Sequence, residues 1–110
     1  MAKRPFKFRL LELCTDEEPH WNNDLVNQVA KEYGAENNKF MKETLNFDLI
    51  ELAAFGFLQD IEQKVDDEGV WLKGALLHKY VITDYGKARA QDACLGPDIG
   101  LKKKREAGEI

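Results

Sequence analysis

The sequence predicts an α+β domain in which a three-helix core is followed by a β-hairpin and a C-terminal helix. Apolar residues recur at helical spacing in three successive segments of the first half of the chain. Two β-favouring runs then flank an acidic turn, Asp66–Gly69, and Thr83 is suited to cap a final alanine-rich helix. We expect residues 6–95 to form one domain, between a basic N-terminal tail at 1–5 and a mobile basic C-terminal tail at 96–110.

The composition is that of a single globular domain. The chain has 110 residues, of which 44% are hydrophobic, and a chain of this length buries about two-thirds of the surface of its unfolded form. Cys14 and Cys94 are isolated, so we expect two small reduced core residues, with a disulfide as the alternative. No apolar run approaches the roughly 18 residues of a membrane span. We therefore expect a cytoplasmic protein without metal or cofactor.

Proline, asparagine and glycine delimit the first two helices. Pro5 is suited to open a helix, because a residue without an N–H loses no hydrogen bond in the first turn. A very short strand is expected at His20–Trp21. Asn22 or Asn23 is then a good cap for a second helix, and Gly34 is placed to end that helix in the left-handed conformation.

The stretch 37–57 is the segment around which the rest of the chain is organised. On a helical wheel, one apolar sector is expected to face the core and contains Met41, Leu45, Leu49 and Leu52. The flanks of that sector are expected to hold Phe40, Phe47 and Ala54. The opposite, polar side collects Lys39, Lys42, Glu43 and Asn46. Asp48 projects into the apolar sector, so either it pairs with a cation or the helix kinks near Asn46.

A β-hairpin is predicted after Gly56, which ends the third helix. The first strand covers 57–65, with the apolar Phe57, Ile61 and Val65 on one side. The second strand covers 70–82, and Gly74 within it indicates a bulge. The last helix is expected over 84–95.

Three stretches resemble parts of the winged helix-turn-helix family, as found in small archaeal and bacterial regulators of the MarR and PadR kind. Residues 24–34, DLVNQVAKEYG, resemble the positioning helix and its glycine turn. Residues 49–58, LIELAAFGFL, resemble the end of a recognition helix that runs into the first wing strand. Residues 80–86, YVITDYG, resemble the end of the second wing strand. The resemblance covers about 6–95 and implies a three-helix core with a β-hairpin wing and a C-terminal helix.

The resemblance also implies a DNA-binding transcriptional regulator whose third helix enters the major groove of double-stranded DNA. Asparagine can contact adenine, and lysine can reach guanine or phosphate. The positions of this chain that match on the helix are Asn38, Lys39, Lys42, Glu43 and Asn46. The wing departs from the family pattern, but Lys64 and Lys73 are expected to reach the DNA backbone. The alternative is that the helix positions are simply a solvated face. A homodimer through the terminal helices is expected, with a monomer as the alternative.

The charge distribution counts against DNA binding. Residues 1–9 carry four basic side chains and residues 102–110 carry a net +2, so the other 92 residues, with 8 basic and 18 acidic side chains, sum to −10. Phosphate neutralisation supplies most of the non-specific affinity for DNA. The predicted wing tip is also acidic, at Asp66, Asp67 and Glu68. The basic ends either supply the missing attraction or are ordinary solubilising tails.

These charges motivate a second hypothesis, a winged-helix protein–protein interaction module without DNA affinity. A third, a small enzyme, has no support in the sequence. Neither His20 nor His78 has a Cys or carboxylate at a local spacing that suggests a triad or metal site. We therefore expect that the protein is not an enzyme.

Overall fold

The computed structural model describes residues 5–92, which form four helices and a three-stranded antiparallel sheet. The elements are α1 (Phe6–Leu13), β1 (His20–Trp21), α2 (Asn22–Glu32), α3 (Lys39–Ala54), β2 (Leu58–Val65), β3 (Leu76–Ile82) and α4 (Asp84–Asp92), with a 3-10 turn at Cys14–Asp16. The α+β class is confirmed. Both predicted tails, apart from Pro5, and the end of the last predicted helix lie outside the described residues, as does Cys94.

One apolar core holds α1, α2 and α3 against the sheet. It contains leucines of the three helices, valines of α2 and the sheet residues Leu58, Tyr80 and Ile82. Cys14 is a free thiol buried in this core, where burial raises its pKa. The prediction of a reduced core cysteine is therefore confirmed at this position.

The sheet has the order β1-β3-β2, so β3 is its central strand. Tyr80 pairs with His20 on one side and with Asp60 on the other. The register between β2 and β3 shifts between Asp60 and Glu62, so Ile61 bulges out of the ladder. Ile61 and Val65 are exposed, whereas Phe57 packs against the core. The distal half of the hairpin extends beyond the core.

The hairpin turn is much longer than predicted. Residues 66–75 form a loop, and β3 begins only at Leu76, so the predictions of a second strand from Val70 and of a strand bulge at Gly74 are wrong. The cause is Asp66, whose carboxylate accepts four backbone N–H groups within the loop. These bonds come from Gly69 at 2.8 Å, Val70 at 2.9 Å, Trp71 at 2.7 Å and Leu72 at 2.8 Å. A local side-chain acceptor has replaced the strand ladder for these donors.

The predicted helix ends are mostly correct. Gly34 and Gly56 follow α2 and α3 with φ of 70° and 85°. Thr83 caps α4, since its Oγ1 accepts the backbone N–H of Gly86 at 2.9 Å. The prediction of an asparagine cap on α2 is wrong, because Trp21 holds the cap position and Asn22 is the first helical residue.

The helix α3 is continuous from Lys39 to Ala54, which removes the alternative of a kink at Asn46. Asp48 is half-buried, and burial raises its pKa although the positive charge of Lys7 opposes that shift. No cation lies within salt-bridge distance of Asp48 among residues 5–92.

Candidate interaction surface on the third helix

The solvent side of α3 carries apolar side chains. Phe40 is 79% exposed, Phe47 59% and Ile50 47%, and Ala54 is also exposed. The prediction that Phe40, Phe47 and Ala54 flank the core sector is wrong. They lie seven residues apart, and because a heptad falls only about 20° short of two helical turns they form one stripe. We call Phe40, Phe47, Ile50 and Ala54 the α3 stripe.

The helix therefore has apolar residues on two opposite sides. Leu45, Leu49 and Leu52 are buried on the core side, as predicted. An amphipathic surface helix would be polar on the side opposite these leucines. The heptad spacing of the stripe was visible in the sequence, but spacing alone does not tell whether another element covers it.

Aromatic residues continue from the C-terminal end of the stripe towards α4. Phe55 is 57% exposed, and its ring centroid lies 6.1 Å from that of Phe57. The Phe57 ring in turn lies 5.0 Å from Tyr85, which is itself exposed. The Nζ of Lys7 lies 5.9 Å from the Phe55 ring centroid. Monomeric proteins rarely expose contiguous apolar patches above a few hundred Å².

Three of the predicted DNA-contacting residues lie together beside the hairpin loop. Lys39 and Glu43 are exposed and Lys42 is half-buried. They line an open cleft of about 400 Å³ whose other walls are Asn27, Glu36, Asn37, Val70, Trp71 and Leu72. No ion pair involves either lysine among residues 5–92. This cleft is the part of the predicted DNA-facing surface that the fold assembles.

The two predicted asparagines have structural partners. The Oδ1 of Asn38 accepts the backbone N–H of Met41 at 3.0 Å and caps α3. The Oδ1 of Asn46 accepts a hydrogen bond from Nδ2 of the buried Asn22 at 2.9 Å. Base contacts by these side chains would compete with these bonds.

The two predicted wing lysines, Lys64 and Lys73, are not among the residues that line the cleft. The Nζ of Lys64 lies 4.5 Å from the ring centroid of Trp21, and that of Lys79 lies 5.4 Å from the same ring. Lys79 also approaches Glu62 at 3.7 Å. Lys73 is exposed in the hairpin loop. Trp21 is half-buried beneath the two ammonium groups, whereas Trp71 packs against the core.

The described part of the basic N-terminus is occupied by internal ion pairs. Arg9 contacts Glu32 through two nitrogens, each at 2.7 Å, and Glu12 through a third at 2.5 Å. Hydrogen bonding to Glu32 raises the pKa of Arg9 further. Lys7 approaches Glu51 at 3.2 Å. The suggestion that these two cations attract DNA is weakened, since both are already paired with carboxylates.

The hairpin tip is acidic. The Asp66 carboxylate is buried and bonded within the loop, whereas Asp67 and Glu68 are exposed. Residues 5–92 carry 10 basic and 17 acidic side chains, so the described domain has a clear negative excess. An acidic domain disfavours contact with phosphate.

Both histidines have carboxylate partners. The Nε2 of His20 lies 2.9 Å from Oδ1 of Asp16, and Nδ1 of His78 lies 2.6 Å from Oδ2 of Asp60. The expectation of no local partner is wrong for His20, because Asp16 precedes it by four residues. Within residues 5–92, no group of three or more His, Cys, Asp or Glu side chains is arranged to hold a metal ion.

Comparison with known proteins identified no relative of this chain. Neither family models, nor curated proteins, nor solved structures gave a match to this chain. Among the described residues, no helix has the length and apolar character that crossing a bilayer requires.

Proposed function

We propose that this chain is a winged-helix protein–protein interaction module that binds its partner through the outer side of α3. The observation that carries this proposal is the exposure of Phe40 and Phe47 on the helix that the family uses for recognition. Aromatic residues are enriched at protein interfaces and dominate their binding energy.

The order of the elements supports the winged-helix assignment. Three helices are followed by a β-hairpin and a fourth helix, and β1 pairs with the second hairpin strand. The hairpin loop lies beside the N-terminal turn of α3, where Trp71 and Lys42 share the cleft. In this assignment α3 is the recognition helix and β2–β3 is the wing.

The surface chemistry favours protein over DNA as the partner. DNA contact through α3 would place Phe40 and Phe47 against a hydrated, charged groove, where their apolar area contributes little. Two of the five polar positions predicted to reach DNA from α3, Asn38 and Asn46, already bond within the domain. Docking on a protein buries the aromatic area instead, at about 25 cal/mol per Å².

Site-specific photo-cross-linking tests this proposal. A benzophenone amino acid replaces Phe47 in the full chain, and the control carries it at Ile61, an apolar residue of β2 that is also 47% exposed. We expect a protein adduct from position 47 alone, lost when Phe40→Glu is added. Absence of an adduct, equal adducts from both positions, or an adduct with nucleic acid would overturn the proposal.

DNA binding remains a second candidate because Lys39 and Lys42 lie in the cleft without ion-pair partners among residues 5–92. Fluorescence anisotropy with a labelled mixed-sequence duplex at low salt tests it. DNA binding by α3 requires salt-dependent affinity that falls in the Lys39→Ala/Lys42→Ala variant. Equal affinity of the two proteins rules out this role of the helix.

A further inference from the structure

We infer that the partner of the α3 stripe is a second copy of this chain, with the two α3 helices packed antiparallel about a two-fold axis at Phe47. This inference rests on the proposed function and names the partner of the same surface. It is carried by the spacing, size and charge of the side chains along the stripe.

The spacing of the stripe is symmetric about its central residue. Phe40 and Ala54 each lie seven residues from Phe47. The stripe is therefore about 21 Å long at 1.5 Å per residue. A two-fold axis through Phe47 places Phe40 of each chain opposite Ala54 of the other, since an isologous interface pairs each position with its mirror position.

The sizes of the paired residues are complementary in this arrangement. Phe40 is the most exposed large side chain of the stripe at 79%, whereas Ala54 is small. Closely packed helices are about 8–10 Å apart, depending on the side chains at the contact. A large residue over a small one fits that distance at both ends, and the two Phe47 rings meet at the centre. A parallel pair would stack Phe40 on Phe40 and leave Ala54 on Ala54, with uneven separation along the interface.

The lysines beside the stripe also favour the antiparallel arrangement. Lys39 and Lys42 lie in the first turn of α3. A parallel pair would bring the lysines of both chains to the same end of the interface, whereas the antiparallel pair places them at opposite ends.

The exposed apolar area is a large part of what a dimer needs. Aromatic side chains bury about 150–250 Å² each, so the exposed parts of Phe40, Phe47, Phe55 and Tyr85 together present roughly 500 Å². A stable interface buries about 800 Å² per partner. The remainder of such an interface falls to Ile50, Ala54 and the polar side chains beside the stripe.

Sedimentation equilibrium of the purified full chain tests the dimer. We expect a species of twice the 12.6 kDa chain mass. Phe47→Glu is expected to raise the dimer Kd at least a hundredfold, because it places two like charges at the axis. Ile61→Glu is the matched control and should leave the dimer Kd unchanged. Circular dichroism verifies that both variants fold.

Cross-linking tests the direction of the helices. Phe40→Cys and Ala54→Cys chains are prepared separately in a Cys94→Ser background and treated with a short bismaleimide. Cys14 is buried and does not compete. A covalent dimer that forms in the mixture, with little from either variant alone, is the result expected for antiparallel packing. Covalent dimers formed by each variant alone would overturn that geometry.

The two proposals can fail separately. A chain that stays monomeric at high concentration, or a Phe47→Glu variant that dimerises as well as the wild type, overturns the second-copy inference. If the cross-linker at position 47 then captures a different protein in a Phe40-dependent manner, the interaction-module proposal still stands.

Discussion

The side chain of Asn22 joins α3 to the sheet. Its Nδ2 donates to Oδ1 of Asn46 at 2.9 Å, and its Oδ1 accepts the backbone N–H of His78 at 3.0 Å. Asn22 is 1% exposed, so water cannot easily replace either bond. Asn22, which was expected to cap α2, and Asn46, which was expected to contact DNA, are thus joined by a hydrogen bond within the domain.

Asn22→Ala should lower the free energy of unfolding by about 1–3 kcal/mol, because it leaves the His78 N–H without an acceptor in the interior. Urea denaturation followed by circular dichroism measures this loss. Asn27→Ala, at an exposed position of the same helix, is the control and should change stability little. Equal stabilities of the two variants would show that the bridge contributes nothing.

Asp66→Asn should destabilise the domain and alter its response to acid. Burial alone would raise the pKa of Asp66, but the four backbone donors outweigh burial and lower it below the usual value. A lowered folded-state pKa gives stability that is present above the unfolded-state pKa of about 4 and is lost as the pH falls through the folded-state pKa.

Melting temperatures measured between pH 7 and pH 2 check this prediction. The wild type should lose stability at the acidic end more steeply than Asp66→Asn, since the variant has no carboxylate to protonate at that position. Asp67→Asn changes the same charge at an exposed neighbour and should follow the wild-type curve. Parallel curves for the wild type and Asp66→Asn would contradict the role of the carboxylate.

Gly86→Ala should destabilise the packing of α4 against Phe57, the residue that precedes β2. An added Cβ would lie 2.1 Å from the carbonyl oxygen of Phe57 and 2.8 Å from Cγ1 of Ile82. Alanine favours a helix over glycine by about 1 kcal/mol, but the backbone oxygen cannot move away without breaking its hydrogen bond from Thr83.

The clash should therefore prevail, with a net loss of about 1–3 kcal/mol as for other overpacked sites. Thermal unfolding of Gly86→Ala measures the loss, and Gln91→Ala at an exposed position of α4 is the control. A Gly86→Ala protein as stable as the wild type would show that α4 can shift freely away from β2.

Arg9→Lys should destabilise the junction of α1 and α2 although it preserves the charge. Arg9 binds both carboxylate oxygens of Glu32, at 2.7 Å each, and a lysine ammonium cannot reproduce this two-point contact. We expect a loss of about 1.5 kcal/mol, the lower end of the range for hydrogen bonds to charged groups, since one contact of the ammonium remains.

Chemical denaturation at low and high salt tests this expectation. Lys7→Arg, which keeps a cation at the more exposed pair with Glu51, is the control and should be nearly neutral. If Arg9→Lys is equally neutral, the pair with Glu32 stabilises the domain only through its net charge.

The sequence alone determined the class, the order of the elements and most helix ends. Gly34, Gly56 and Thr83 act where they were predicted to act. Each of these signals is local, because a positive φ or a capping hydroxyl involves only a few neighbouring residues. The reduced state and burial of Cys14 followed from its isolation in the sequence.

Only the tertiary structure showed that the outer side of α3 is apolar and what the polar side chains do. The sequence predicted the leucine side as the buried one, but whether Phe40 and Phe47 are covered depends on elements distant in sequence. The burial of Asp66 and the bridge from Asn22 to Asn46 likewise depend on the folded loop and on the sheet. The third helix was correctly predicted within 37–57, but the exposure of its Phe40 and Phe47 became evident only when Leu45 and Leu49 were placed in the core.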